Sequence, residues 1–354
     1  MYGFVKREFV GKLAIAALFC LVVTSCSSQQ ASIEPSIEFT HLPVAADGSH
    51  AVLHDIAGRV TGARPDQKVV LYARSGVWWV QPFEEEPFTD ILPDRTWTSK
   101  THPGNAYAAL LVDPGYHPNA RLNDLPQKGG NVSAVAVADE HTLKSAPLKT
   151  LLFSGYEWSL RDTPSDAGGS ANLYDPANAW VDENGFLHLR IMRKGESWTS
   201  AEVSLTASLG YGTYSFVVRD VSRLEPAAIF AIATWDNRGP PREVNIEIGR
   251  WGELESKNAQ YVVQPYYVPA NVVRFTNPPG TVTHSFRWQP GRVHFKTSAG
   301  VSLDSGVVAE HVFTSGVPLP GYETIRLNHY LFFNKKYPLQ EGSEVIIEKF
   351  QYLP

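Results

Sequence analysis

Residues 243–248 read EVNIEI, so polar and aliphatic side chains alternate along this segment. Side chains of a β-strand point alternately to its two faces, which would place Glu243, Asn245 and Glu247 together, opposite a core-facing aliphatic set. On a curved sheet the two carboxyls can approach to about 5–5.5 Å, the separation in a retaining glycosidase. One carboxyl of so close a pair has a raised pKa and can donate a proton beside an ionised nucleophile. The pattern indicates a two-carboxyl hydrolytic site; the alternative is a polar strand face that meets solvent.

Aromatic and amide side chains flank this segment. The candidate substrate-binding residues are Trp235, Arg250, Trp251, Gln260, Gln264 and Tyr266. Gln260 and Gln264 fall on one face of a neighbouring predicted strand. Indole planes and amides together suit a neutral polyhydroxylated ligand, which needs stacking and paired hydrogen bonds. The alternatives are a core position for Trp251, a surface ion pair for Arg250 and a solvated edge for Gln260.

Short strands must position these residues. The chain has 354 residues, with 27 Gly, 25 Pro and 12% aromatic residues, and no long amphipathic helix is evident in it. Apolar runs separated by turn residues predict a small immunoglobulin-like β-sandwich over 39–145, with strands near 50–56, 68–73, 77–80, 106–112 and 132–137. Ten further strand candidates over 146–354 predict two stacked sheets in a jelly roll. The predicted fold class is all-β, with the domain boundary in the polar segment 139–150.

Six segments of the second module occur in an order that matches one known family. They are 180–189 (WVDENGFLHL), 199–203 (TSAEV), 211–216 (YGTYSF), 243–247 (EVNIE), 283–295 (THSFRWQPGRVHF) and 345–352 (VIIEKFQY). Together they resemble glycoside hydrolase family 16, the jelly-roll hydrolases of β-glucans and galactans. The resemblance implies a concanavalin A-like fold, Glu243 as nucleophile, Glu247 as general acid/base and endo-acting, retaining hydrolysis of a β-linked polysaccharide.

Asn245 departs from the E-x-D-x-E signature of that family. An amide hydrogen-bonds a carboxyl but supplies no charge and shares no proton, so we expect catalysis weakened by about 10²–10³-fold. The run 229–237 (IFAIATWDN) also differs from the Trp-rich run that precedes the signature in many members. Two alternatives to the enzyme therefore stay open. One is a non-catalytic carbohydrate-binding protein on the same fold, and the other is a structural envelope lipoprotein.

The N-terminal segment has the pattern of a signal peptide. Basic residues precede an apolar run over 13–23, and Val-Thr-Ser-Cys at 23–26 resembles a bacterial lipobox. This resemblance implies cleavage after residue 25, lipidation of Cys26 and a tether over 26–38. The protein is then predicted in the bacterial cell envelope, lipid-anchored at the outer membrane or cell surface. The alternatives are ordinary secretion and an uncleaved anchor.

Composition excludes several other classes of function. The formal net charge is -5 without long basic clusters, which argues against nucleic-acid binding. Only 2 Cys are present, so neither a disulfide framework nor a Cys-rich metal site is expected. We expect no cofactor; a structural calcium occurs in some members of the resembled family, but no D-x-D-x-D loop is evident here. A monomer is expected.

Three tryptophans of the first module suggest a second sugar-binding surface. Trp78, Trp79 and Trp97 could form a stacking platform, because aromatic planes suit the C–H faces of pyranose rings. The alternative is a core role. Trp78 and Trp79 are adjacent and point to opposite faces of their strand, so at least one of them is expected to be buried.

Overall fold

The computed structural model describes residues 34–46, 48–50, 52–139, 142–143, 149–162, 164, 172–237, 242–254, 257–303, 306–332 and 336–354. All of these belong to the unit Glu34–Pro354. The predicted signal peptide and Cys26 lie outside the described residues, so the lipidation site stays a prediction. Within the described ranges, no helix has the length and apolar character needed to cross a membrane.

The N-terminal module consists of two antiparallel sheets. Its strands are β1 (Ser36–His41), β2 (His54–Thr61), β3 (Lys68–Ser75), β4 (Val77–Gln81), β5 (Phe88–Thr89), β6 (Thr96–Thr101), β7 (Ala106–Val112), β8 (Arg121–Leu122) and β9 (Val132–Ala138). One sheet has the order β1-β2-β6, and the other has the order β8-β4-β3-β7-β9 with β5 beside β3. The sandwich predicted for this region is confirmed.

Aromatic and aliphatic side chains fill the space between these two sheets. Trp97 of β6 is fully buried there with Ile37 and Leu71. Because Ile37 belongs to this core, β1 begins at Ser36, inside the segment assigned above to the tether. The second strand lies at 54–61 rather than near 50–56. Its central Gly58 lies against the Trp97 indole, where an added Cβ would come within 2.2 Å of the ring, so close packing rather than an apolar run marks this strand.

The described residues of the C-terminal module form sixteen further strands. They are β10 (Thr150–Phe153), β11 (Tyr156–Leu160), β12 (Leu173–Tyr174), β13 (Ala179–Val181), β14 (Leu187–Lys194), β15 (Ser197–Leu205), β16 (Gly212–Val218), β17 (Ala228–Trp235), β18 (Val244–Ile248), β19 (Ala259–Val263), β20 (Val272–Phe275), β21 (Val282–Gln289), β22 (Arg292–Ala299), β23 (Val307–Phe313), β24 (Thr324–Leu331) and β25 (Ser343–Leu353). The two described helical segments of this module are 3-10 turns, Pro176–Asn178 and Pro269–Asn271.

The main path through this module runs β20-β19-β18-β17-β24-β15-β14-β25-β16-β21-β22-β23. Its first six strands form one layer and its last six the other, joined by the β14–β15 hairpin. The layers pack through a shared apolar core. Tyr261 of β19 stacks on Phe295 of β22 with ring centroids 4.8 Å apart, and its hydroxyl donates to Thr297 Oγ1 at 2.6 Å. The predicted all-β jelly roll is confirmed, and the outer face of the first layer is free to carry a site.

Candidate active site

Strand β18 separates its side chains as the alternation predicts. Val244, Ile246 and Ile248 are fully buried in the core of the jelly roll. On the opposite face, Asn245 is 2% exposed, and the glutamates at the two ends of this polar set are half-buried. The two carboxyls therefore meet a cavity rather than bulk solvent.

Strand pairing places Glu247 in a row of residues that crosses the layer. Ala231 of β17 is its partner on one side, and Gln260 of β19 on the other. The row continues through Asn328 of β24 beyond Ala231, and through Arg274 of β20 beyond Gln260. Because paired residues of adjacent strands present their side chains to the same face, the row defines a band of polar groups around one small residue.

This polar band lies in a cavity of about 1530 Å³, which we call the cleft. Its lining includes Glu243, Asn245 and Glu247 together with Ala231 and Ala233. The small side chains of the two alanines leave open space beside the carboxyls, which a larger side chain would fill. Pockets for single small ligands measure about 300–1,000 Å³. The cleft therefore has room for an oligomeric ligand.

Glu247 is surrounded by hydrogen-bond donors. Gln260 Nε2 donates to its Oε2 at 2.5 Å, and the Tyr330 hydroxyl lies 3.5 Å from its Oε1. Arg274 Nε donates to Gln260 Oε1 at 3.2 Å, which fixes the orientation of that amide. The Arg274 guanidinium also lies 4.5 Å from the ring centroid of Trp251. These contacts orient the Glu247 carboxyl and stabilise its ionised form.

Glu243 has a different set of partners. Asn245 Nδ2 donates to Glu243 Oε1 at 2.7 Å, and the Gln264 side chain is a second hydrogen-bonding partner. Burial raises the pKa of Glu243 to about 7, and the nearby charge of Glu247 acts in the same direction. Burial also raises the pKa of Glu247, although its hydrogen-bond donors oppose that effect. Glu243 therefore stays largely protonated up to about neutral pH.

A buried charge cluster borders the same cleft. Glu202 of β15 accepts from Arg161 Nη1 at 3.1 Å and lies 3.5 Å from Arg326 Nη1. The Arg326 guanidinium in turn lies 5.5 Å from the ring centroid of Trp235. Arg326 also lowers the pKa of Glu243, against the larger effect of burial.

Most of the predicted binding residues line the cleft. They are Trp235, Trp251, Gln260, Gln264 and Tyr266, and their role in substrate binding stays a prediction. Arg250 is not among the residues that line it, and its predicted role in binding also stays a prediction. Its guanidinium donates to the backbone carbonyl of Leu224 at 2.7 Å and to that of Ser222 at 3.2 Å. These two hydrogen bonds anchor the loop before β17.

Sequence reasoning missed several residues of the cleft wall. Arg326, Asn328 and Tyr330 project from β24 into the cleft, while the alternate residues Ile325, Leu327 and His329 are buried. The signal was available, since R-x-N-x-Y alternates with buried residues as clearly as the glutamate strand does. Arg274 carried no such signal because its strand is short.

The described ranges contain no cluster of three or more His, Cys, Asp or Glu side chains that could hold a metal ion. His284 is fully buried and lies 3.0 Å from Thr297 Oγ1, and His294 pairs with Glu310 at 2.5 Å. Both histidines therefore have partners within the protein.

No protein-family model matches the chain, and no curated protein sequence matches it. Among solved structures it is similar to a β-glucanase of Bacillus licheniformis, at 16% identity and a TM-score of 0.46 over 60% of this chain and 100% of that chain. It is also similar to the laminarinase catalytic domain of Thermotoga maritima (15%, TM-score 0.43, 55% and 90% covered). A third similar structure is Rv0315 of Mycobacterium tuberculosis, described as a pseudo β-1,3-glucanase. Its identity is 16% and its TM-score is 0.43, over 55% of this chain and 88% of that chain.

Proposed function

We propose that the protein is a retaining glycoside hydrolase that cleaves within a β-linked polysaccharide such as a β-glucan or galactan. One observation carries the proposal. Two half-buried carboxyls, Glu247 of β18 and Glu243 immediately before that strand, line a cleft of about 1530 Å³, and both have raised pKa values. Paired titratable groups in a large cleft are typical of hydrolytic sites.

The two carboxyls support a double displacement. Glu243 attacks the anomeric carbon while Glu247 gives its proton to the glycosidic oxygen, so the leaving sugar departs as an alcohol and a glycosyl ester remains on Glu243. Glu247, now ionised, takes a proton from water, and the resulting hydroxide equivalent breaks the ester. Both residues end in their starting protonation states, and the product keeps the β configuration.

The groups around the carboxyls suit a neutral sugar chain. Gln260 and Gln264 offer amide donors and acceptors, and Trp235 and Trp251 offer aromatic planes. Three arginines of the cleft, Arg161, Arg274 and Arg326, contact a carboxylate or an aromatic ring, as in the pair Arg326–Glu202. The volume of the cleft exceeds that of a single-ligand pocket, which supports cleavage within a chain.

A non-catalytic carbohydrate-binding function is the second candidate, and Asn245 favours it. An amide at the centre of the polar set supplies no charge to the pair. The pKa of about 7 also keeps Glu243 largely protonated below neutral pH, whereas the double displacement needs this carboxyl ionised. A chain that binds glycans without cleaving them would retain the cleft and tolerate both features.

Turnover and binding on one panel separate the two candidates. Reducing-end release and binding are measured on β-glucans and galactans for the wild type, Glu243→Gln and the control Glu157→Gln, which changes an exposed glutamate of β11. The hydrolase predicts release by the wild type and the control, and binding without release by Glu243→Gln. Binding without release by all three proteins favours the carbohydrate-binding function. Absence of both activities leaves only a structural role.

We propose in addition that lipid on Cys26 tethers the protein to the cell envelope. The lipobox-like segment 23–26 supports this proposal. Expression in a bacterium with radiolabelled palmitate tests it: the wild type and Cys20→Ser should incorporate label, and Cys26→Ser should not. Equal labelling of Cys26→Ser would contradict it.

A further inference from the structure

The cleft has a wall from the N-terminal module. Trp79 of β4 and Phe83, which follows that strand, line the same cavity as Glu243 and Glu247. Trp79 is 43% exposed and Phe83 is 46% exposed. Large aromatic side chains exposed in a ligand cavity rather than packed in a core need a functional explanation.

Trp78, Trp79 and Trp97, which were considered as a stacking platform, differ in how deeply they are buried. Trp97 is fully buried between the two sheets, and Trp78 is 7% exposed in the second apolar cluster of the module. Trp79 points the opposite way from Trp78, as alternation along β4 requires. A platform of three tryptophans is therefore wrong, and Trp79 is the member that meets the cleft.

Hydrogen bonds fix the hairpin that carries Trp79 against the jelly roll. The turn between β3 and β4 donates from Gly76 N to the carbonyl oxygen of Asn237 at 3.2 Å, and Asn105 Nδ2 donates to the same oxygen. Asn237 in turn accepts from Trp235 Nε1 at 2.8 Å through its side chain. Asn237 follows β17, the strand that forms the cleft floor, so one residue ties Trp79's hairpin to that floor.

The surroundings of both aromatic rings are ordered as well. Trp79 Nε1 donates to Ser75 O at 3.2 Å, which fixes one edge of the indole and leaves its exposed surface for a ligand. Phe83 makes an edge contact with His102 at 5.8 Å between ring centroids. His102 is itself fixed by Gln81, whose Oε1 accepts from His102 N at 2.8 Å. The wall is thus pre-organised, which lowers the entropic cost of binding.

We propose that Trp79 and Phe83 form an additional subsite, which stacks on a pyranose unit of the glycan at a distance from the carboxyl pair. The inference rests on the proposed function, because it assumes that the cleft takes a sugar chain. An aromatic plane suits the C–H face of a pyranose, and no ionised group is needed for that contact. The N-terminal module is then a part of the binding cleft and not an independent domain.

Chain length provides the test. In a Glu243→Gln background, affinity is measured by calorimetry for laminari-oligosaccharides and agaro-oligosaccharides from disaccharide to octasaccharide. Trp79→Ala should weaken octasaccharide binding about tenfold and leave disaccharide binding unchanged, since only a long chain reaches both sides. Trp79→Phe keeps an aromatic plane and should retain most of the affinity. Phe88→Ala is the matched control: Phe88 lies in the same module, is 44% exposed and is not a lining residue of the cleft.

The outcomes distinguish this inference from the function on which it rests. If octasaccharides bind and Trp79→Ala binds them as tightly as its parent does, the subsite is wrong and the hydrolase proposal is untouched. If neither series binds to any protein, including the wild type, the proposed function fails and the subsite fails with it. A loss by Trp79→Ala that is equal for disaccharides and octasaccharides also overturns the subsite, because it indicates a general disturbance of the cleft.

Discussion

Asn245 donates its amide to Glu243 Oε1 at 2.7 Å, while its own Oδ1 is buried and has no hydrogen-bond partner among the described residues. A buried carbonyl oxygen without a donor costs about 1–3 kcal/mol. The orphaned oxygen points to a donor that arrives with the ligand or to a proton on a neighbouring carboxyl.

Replacing Asn245 by aspartate tests how much catalysis is lost because this position carries an amide and not a carboxylate. Asn245→Asp places a third carboxyl beside the pair, which raises the pKa of its neighbours and keeps a proton on Glu247. We expect kcat on the cleaved polysaccharide to rise at least about tenfold, since one electrostatic group is worth about 10²–10³. Asn245→Ala should instead lower kcat. A kcat that falls equally in both variants would show that the amide itself is needed.

Azide rescue tests the roles of the two glutamates. In Glu243→Ala, azide takes the position of the nucleophile and should give a glycosyl azide of α configuration. In Glu247→Ala, a substrate with an activated leaving group still forms the glycosyl ester, so azide should give the β product. The configuration is read by NMR. A β product from Glu243→Ala and an α product from Glu247→Ala would instead make Glu247 the nucleophile and Glu243 the general acid/base. That assignment would agree with the raised pKa of Glu243.

The stability of the protein should depend on pH through Glu243. Its pKa is about 7 in the folded protein against an ordinary value of 4.5, so between these values the folded state binds more protons than the unfolded state. The free energy of unfolding then falls as pH rises from about 4.5 to about 7. Glu243→Gln removes this loss and should raise the free energy of unfolding by about 2 kcal/mol at pH 8, with little change at pH 4.

Urea unfolding at the two pH values measures this effect, with Glu157→Gln as the control. The control should shift stability at neither pH. A Glu243→Gln variant that is less stable than the wild type at pH 8 would contradict the assignment of a strained, desolvated carboxyl to this position.

Ala233 tests the shape of the cleft floor. It is half-buried on β17, opposite Asn245 in the strand pairing, and its methyl group faces the cleft. Ala233→Leu fills space that the sugar chain occupies, so we expect KM on a long substrate to rise at least about tenfold while Tm changes by little. Ala233→Ser keeps the volume small and should behave like the wild type. Equal kinetics for the leucine and serine variants would place the substrate elsewhere.

Local patterning accounts for the parts of the fold that were predicted correctly. The strand predicted within 243–248 is observed as β18 over 244–248, because alternation of polar and aliphatic residues fixes its two faces. Strand β7 (Ala106–Val112) was likewise predicted at its observed bounds, since its continuous apolar run must be buried on both faces. The jelly roll followed from the number and spacing of such strands.

The cleft depends on relationships that no local pattern contains. Arg250 is close to the carboxyl strand in sequence, yet its guanidinium turns to the carbonyls of a distant loop. Trp79 is far away in sequence and comes to the cleft through the contact with Asn237. Predicting either required knowledge of tertiary contacts, within the C-terminal module for Arg250 and between the two modules for Trp79.

The stereochemistry of hydrolysis tests the central claim most directly. Proton NMR during cleavage of a β-linked oligosaccharide follows the anomer that appears first, in the wild type and in Glu243→Gln. We predict that the wild type releases the β-anomer first and that Glu243→Gln releases no product. Initial release of the α-anomer, or unchanged turnover by Glu243→Gln, would contradict a double displacement on this carboxyl pair.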